Sequence, residues 1–196
     1  MRKIIVLSFI TLDGIMQAPG GPGEDPSGNF KYEGWVAGYW DDVLSRTMDE
    51  QMGRPFDLLL GRRTYDIFAG YWPKIPDSSI NQATKYVVTH RPLTQNWEKS
   101  IQISGDVVAK IINLKEDNGP EIQVHGSSNL IQTLLKHNLI DELWLKIFPV
   151  TLGKGKRLFG EGAIPAAFTL FHNETSPNGI LIANFKHAGE VKTGSF

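Results

Sequence analysis

Short aliphatic runs alternate with stretches of helical spacing along most of this chain, and that alternation restricts its fold more than any other feature. Strand-like runs lie at Lys3–Ile10, Phe56–Leu60, Tyr86–His90, Ser100–Ser104, Glu121–His125, Leu143–Phe148, Phe168–Glu174 and Ile180–His187. Several are nearly continuous in Ile, Leu and Val, as expected of strands covered on both faces. Between them, Leu44, Met48 and Met52 recur every four residues within Asp41–Met52. Val107, Val108, Ile111 and Ile112 mark a helix over Asp106–Lys115, and Leu130, Ile131, Leu134 and Leu135 mark another over Ser128–His137. Each has a capping side chain in place: Asp41, Ser104 or Asp106, and Ser127 or Ser128. The pattern predicts an α/β fold with a largely parallel sheet and helices on both faces. Thr175-Ser176-Pro177-Asn178-Gly179 predicts a closing antiparallel hairpin between the last two strands.

The chain has 196 residues and reads as one domain over 1–188 with a frayed tail over 189–196. Its net charge of -1 gives no global field toward nucleic acid or an anionic membrane. The absence of cysteine removes disulfides, thiolate metal sites and cysteine nucleophiles, and suits a cytoplasmic protein. Met1-Arg2-Lys3 before Ile4–Leu12 looks superficially like a signal peptide. The apolar run is short, however, is broken by Ser8 and Thr11, and lacks a small-residue cleavage site. A first buried strand fits better, and no apolar stretch is long enough to cross a membrane.

Three strand ends carry residues suited to an anion. In Leu58-Leu59-Leu60-Gly61-Arg62-Arg63-Thr64-Tyr65 an apolar run ends in glycine, two arginines and a threonine placed to cap the next helix. The first N–H groups of a helix are unpaired and its dipole is positive there, so such starts collect anions. Guanidinium groups grip phosphate bidentately. Taken alone, the segment fits an ordinary strand-to-helix turn with solvated arginines equally well. Val124-His125-Gly126-Ser127-Ser128-Asn129-Leu130 offers a second such start, where glycine permits close approach of a ligand. Thr89-His90-Arg91-Pro92 offers a third, or a surface turn stopped by proline. Ligands of open α/β sheets sit at the carboxyl ends of strands, so the coincidence favours a dinucleotide. No G-x-G-x-x-G, P-loop or G-x-S-x-G motif is present, and the five histidines lack metal-ligand spacing. Two irregular segments, the Gly- and Pro-rich Gln17–Tyr32 and Thr151–Pro165, read as functional loops, the first of them mobile.

Taken in order, several motifs are similar to those of a known family. They are Leu12-Asp13-Gly14, Gly61-Arg62-Arg63-Thr64-Tyr65, His125-Gly126-Ser127-Ser128-Asn129-Leu130, and Leu139-Ile140-Asp141-Glu142-Leu143 leading to Pro149-Val150-Thr151-Leu152-Gly153. Over roughly residues 3 to 187 the chain resembles the dihydrofolate reductase-like superfamily. The branch it resembles most is the C-terminal reductase domain of bifunctional riboflavin-biosynthesis enzymes. The resemblance implies a three-layer α-β-α fold, mostly parallel with an antiparallel C-terminal edge strand, that binds NADPH. It implies that Gly61, Arg62, Arg63 and Thr64 hold phosphates near the adenosine end. Thr89, His90 and Arg91 would flank the adenine or its 2′-phosphate. Gly126, Ser127, Ser128, Asn129 and Leu130 would receive the pyrophosphate, with the nicotinamide near Ser8 to Ile10. A homodimer is compatible with the resemblance.

The expected activity is hydride transfer from NADPH to a pterin-like, pyrimidine-like or other planar heterocycle. Asp13, or a water it holds, is the candidate proton relay, with Gln17–Tyr32 as a lid; Asp-Gly is equally a common turn pair. Trp40, Asp49 and Phe148 are the candidate substrate contacts. Pterin-reducing relatives carry a carboxylate on the first helix, and Asp41, Asp42, Asp49 and Glu50 compete for that role here. Counting back from Gly61 puts Ser45 near the family position, a departure that argues against dihydrofolate. Met48 and Met52 read as core, and Tyr71-Trp72 as a core cap or interface. The alternative is a non-catalytic NADP-binding protein on a reductase scaffold.

Overall fold

The computed structural model describes residues 1–160 and 163–195. Its strands are β1 (Ile4–Thr11), β2 (Phe56–Gly61), β3 (Lys85–Val88), β4 (Ser100–Ile103), β5 (Glu121–Val124), β6 (Glu142–Phe148), β7 (Ala167–Thr175) and β8 (Leu181–Gly189). They form one sheet in the order β4-β3-β2-β5-β1-β6-β8-β7. The first six strands in that order run parallel, and the antiparallel edge is the predicted hairpin, with β8 inserted between β6 and β7. The hairpin turn closes through Ser176, whose N–H and hydroxyl both bond Ile180. The expected loop over Thr151–Pro165 contains Glu161 and Gly162, and the expected tail ends at Phe196; these three lie outside the described residues.

The helices are α1 (Asp42–Met52), α2 (Arg62–Tyr71), α3 (Ser79–Gln82), α4 (Val107–Glu116) and α5 (Ser128–Lys136). Alternation along the strands assigns them to two layers. Leu59, Ile4 and Val6 face Ile111, Leu114, Ile131 and Leu134 of α4 and α5. Leu58 and Leu60 face Tyr65 and Ile80 of α2 and α3, while Phe148 and Ile182 face Leu44 of α1. Burying both faces of β2, β5 and β1 excludes water from the middle of the sheet. At roughly 25 cal/mol per Å² this apolar burial is the main term holding the layers together.

Two expectations need correction. Thr64 does not cap a helix: α2 begins at Arg62 with Gly61 as its N-cap, so Thr64 lies inside the first turn. Gly61, extended at φ -71° and ψ 152°, takes the N-cap position three residues earlier than Thr64. Gln17–Tyr32 is not a loose loop. The Gln17 amide donates to the carbonyls of Asp25 and Ser27 and accepts from the Lys156 N–H. Trp35 Nε1 donates to the Gln17 carbonyl, and Glu33 accepts from the N–H groups of Gly23 and Asp25. Side-chain carboxylates and amides thus satisfy backbone groups that Gly and Pro leave out of any ladder.

Candidate active site

Adjacent strands β2 and β5 deliver the starts of α2 and α5 side by side. The starts of α1, α3 and α4 are closed by side chains: Asp41 accepts from Leu44, Ser78 from Ile80 and Asp106 from Ala109. The N-caps of α2 and α5, Gly61 and Ser127, make no such bond. The two first turns therefore present uncapped N–H groups toward one region, and both dipoles are positive there. They touch through glycines. A Cβ on Gly126 would stand 2.7 Å from the Thr64 hydroxyl, and one on Gly61 would overlap Ser127.

These starts open into a cavity of about 690 Å³ on the α1/α2 face of the sheet. Arg63, Thr64, Gly126, Ser127 and Ser128 line one part of it. Leu7, Ser8 and Phe9 of β1 form wall, as do Met48 and Met52, which also pack against the core as sequence spacing expected. Tyr71 and Trp72 also face it, and Trp72 at the same time packs against the core cluster of β2, α2 and α3, as its expected role as a core cap requires. The pinned segment after β1 covers it through residues 16–25. The buried Asp25 carboxylate bonds Arg63 at 2.6 Å, Lys156 at 2.5 Å and the Ser27 hydroxyl at 2.6 Å. Burial pushes its carboxyl up, but Lys156 and Ser27 outweigh that and hold it below the usual carboxylate range. Asp25 is thus the anion that Arg63 and Lys156 now grip.

The other expected residues distribute unevenly. Arg62 turns away from the cavity and forks onto Asp66, both oxygens at 2.9 Å, and onto the Pro92 carbonyl at 2.9 Å. That contact holds the turn carrying His90 and Arg91, both exposed, beside α2. Thr89 is buried and closes this turn, its hydroxyl accepting from the Arg91 N–H. Leu130 is core, so only its backbone N–H belongs to the helix start, and Asn129 is exposed.

Trp40 lines the cavity, edge-on to Phe9, with its indole N–H on the Ser45 hydroxyl. Asp49 and Phe148 do not line it. Asp49 points outward on the exposed face of α1, and Phe148 is sealed beneath Phe9, Trp35 and Tyr39. Nor does Asp13. Its carboxylate bonds the Thr11 hydroxyl at 2.5 Å and the N–H groups of Gly153 and Leu152 at 2.7 and 3.2 Å. It ties the end of β1 to the loop after β6. Burial raises its pKa, but these donors outweigh that and lower it, so it stays ionised as a staple.

Sequence reasoning missed the polar groups beneath the cavity. Lys146, in the middle of β6, is 1% exposed yet lines the cavity, so it stands at its deep side. Its ammonium donates to the Gln51 side-chain carbonyl, and burial pushes its pKa down to about 7. His125 also lines the cavity, 3.2 Å through Nε2 from Gln123 Oε1; because that oxygen can only accept, the ring proton is assigned to Nε2. Burial, helped by Lys146, pushes His125 down to about 3, so the ring is neutral. Gln123 in turn donates to the Gln51 backbone carbonyl at 2.9 Å. One signal was available: a lysine inside Leu143-Trp144-Leu145-Lys146-Ile147-Phe148 interrupts an otherwise buried strand.

The sheet order, its terminal hairpin and the cavity at the strand ends define a dihydrofolate reductase-like α/β fold. The chain belongs to the RibD C-terminal domain family, whose profile matches residues 2–182. Two Bacillus subtilis (strain 168) proteins, YyaP and YwjB, are each 30% identical, over 174 and 160 residues. The matches cover 81% and 82% of this chain and 80% and 84% of those relatives. Among solved structures, a putative riboflavin biosynthesis protein from Shewanella sp. PV-4 superposes with a TM-score of 0.69 at 24% identity, covering 95% of this chain and 99% of that one. A pyrimidine reductase-like protein from Corynebacterium diphtheriae gives 0.63 at 12% identity, covering 96% and 93%. Dihydrofolate reductase from Enterococcus faecalis, solved with NADP(H), gives 0.60 at 11% identity, covering 94% and 96%.

Proposed function

We propose that the protein is an NADPH-dependent reductase of a small planar substrate. The observation that carries this reading is the pair of uncapped helix starts meeting at Gly61–Ser127 and Thr64–Gly126 beside Arg63. Two convergent sets of N–H donors and a guanidinium suit the phosphates of a dinucleotide. Arg63, Thr64 and the first N–H groups of α2 and α5 would hold those phosphates, displacing the Asp25 carboxylate from Arg63. His90 and Arg91, on the neighbouring turn, would meet the adenosine end. When bound, NADPH supplies the hydride; the protein supplies orientation and excludes water.

The experiment is NADPH oxidation followed with a panel of pterins, pyrimidines, quinones and nitroaromatics. Turnover with at least one class is expected. NADPH binding without turnover on any of them would favour the second reading, a non-catalytic NADP-binding protein. One observation supports that alternative: α1 brings Met48 and Met52 to the cavity, while its Asp49 carboxylate points to solvent.

A further inference from the structure

The buried lysines of this fold divide into two kinds. Lys85 gives its ammonium to the carbonyls of Asn81 and Glu98, both at 2.9 Å, and rests over the Trp97 ring at 4.4 Å. Lys115 bonds the Leu139 carbonyl and the Asp141 carboxylate. Both are satisfied by the fold. Lys146 carries three donors, and among the described residues only the Gln51 side-chain oxygen accepts from it. Among the described residues the lysines paired with carboxylates are Lys3, Lys115 and Lys156, and Lys146 is not among them. Its neighbours are the neutral His125, the Phe9 ring at 5.9 Å, and the open volume of the cavity. A buried ammonium without a counter-ion is costly, and a methionine would fill the same space without that cost. Lys146 lines the volume left for a ligand, and donors of its ammonium remain unspent.

We propose that Lys146 is the substrate-binding residue of this cavity and that it grips an electron-rich oxygen, so the substrate enters with an oxo edge first. This rests on the reductase reading above and gives it a substrate class: planar compounds bearing a carbonyl, quinone or nitro oxygen. An amino edge would set two donors against each other at Lys146. When bound, NADPH would supply a hydride to the carbon conjugated to that oxygen; as the π electrons move onto the oxygen, the Lys146 ammonium would give it a proton and be left a neutral amine. Burial pushes this ammonium down to about 7, which brings its proton within reach at neutral pH.

The test uses the full chain loaded with NADP and two matched probes, a 5-aryl-2,4-dioxopyrimidine and the corresponding 2,4-diamine, titrated by calorimetry. Wild type is expected to prefer the dioxo probe, and Lys146→Met to lose on the order of tenfold or more of that affinity. In wild type the dioxo affinity falls as pH rises through about 7, and in Lys146→Met it is flat. Gln51→Glu, which supplies the missing carboxylate, is expected to shrink the preference while the fold is retained. A preference for the diamine, or the same preference in wild type and Gln51→Glu, overturns the assignment. Failure of NADP itself to bind counts against the cofactor reading instead; the probes are then titrated without NADP, and the same outcomes decide for or against Lys146.

Discussion

The Thr64 hydroxyl lies 2.7 Å from where a Cβ on Gly126 would stand, so the first turns of α2 and α5 meet only because position 126 has no side chain. Gly126→Ala forces these turns apart at a residue with φ of +154°. It is expected to cost about 1–3 kcal/mol, as other overpacked sites do, and to weaken NADPH. Gly70→Ala, on α2 with no neighbour within 4 Å, is the control and is expected to stabilise by about 0.5–1 kcal/mol. Thermal unfolding and calorimetry of both variants check the pair.

Arg63 faces the cavity and Arg62 faces the turn after β3. Arg63→Ala is therefore expected to weaken NADPH by about 1.5–3 kcal/mol, on the order of tenfold to a hundredfold. Arg62→Ala is expected to weaken it less and to act through loosening of the turn carrying His90 and Arg91. Titration of both variants with NADPH and NADH decides the order; a larger loss from Arg62→Ala contradicts this placement.

Asp25 makes the cover over the cavity sensitive to acid. Its folded pKa is lowered, so the stabilisation it gives is complete above the unfolded value, about 3.9, and is lost as pH falls through the folded one. Hydrogen exchange of residues 17–34 is expected to rise on acidification in wild type. In Asp25→Asn exchange is expected to be raised already at neutral pH, with a smaller acid step. An identical profile in the variant would remove Asp25 from this role.

Lys146 predicts the opposite end of the pH scale. Its folded pKa, about 7, lies below the unfolded value, so between them the unfolded chain binds more protons and stability rises with pH. Lys85, pushed down to about 8 by burial, contributes in the same direction. The difference between wild type and Lys146→Met isolates the first group, since His125 stays neutral throughout and Gln51 is uncharged. Denaturant unfolding is expected to show Lys146→Met more stable at pH 7, with that advantage shrinking toward pH 10. A constant difference would place Lys146 among ordinary core side chains.

Legibility in the sequence tracks the range of the interactions. Leu58-Leu59-Leu60 announces a strand covered on both faces, and Asp41 and Asp106 announce helix starts, because period and capping are local. Gly61 and Gly126 stood out for the same reason. Asp49 and Phe148 misled, since neither residue's face is fixed by its own neighbours: Asp49 follows the rotation of α1, and Phe148 is sealed by Trp35 and Tyr39 from a distant turn. Asp13 resembled a catalytic acid because the partners that occupy it, Leu152 and Gly153, are 139 and 140 residues away. Lys146 was missed because its aim depends on the register of β6 against β1, in which it pairs with Phe9.

Calorimetric titration of the purified chain with NADPH, set beside Gly126→Ala, decides whether a dinucleotide sits where α2 and α5 meet. One saturable site per chain is expected in wild type, with a clear loss of affinity in the variant. Absence of binding in wild type, or equal affinity in both, would contradict the placement of a dinucleotide at the meeting of α2 and α5.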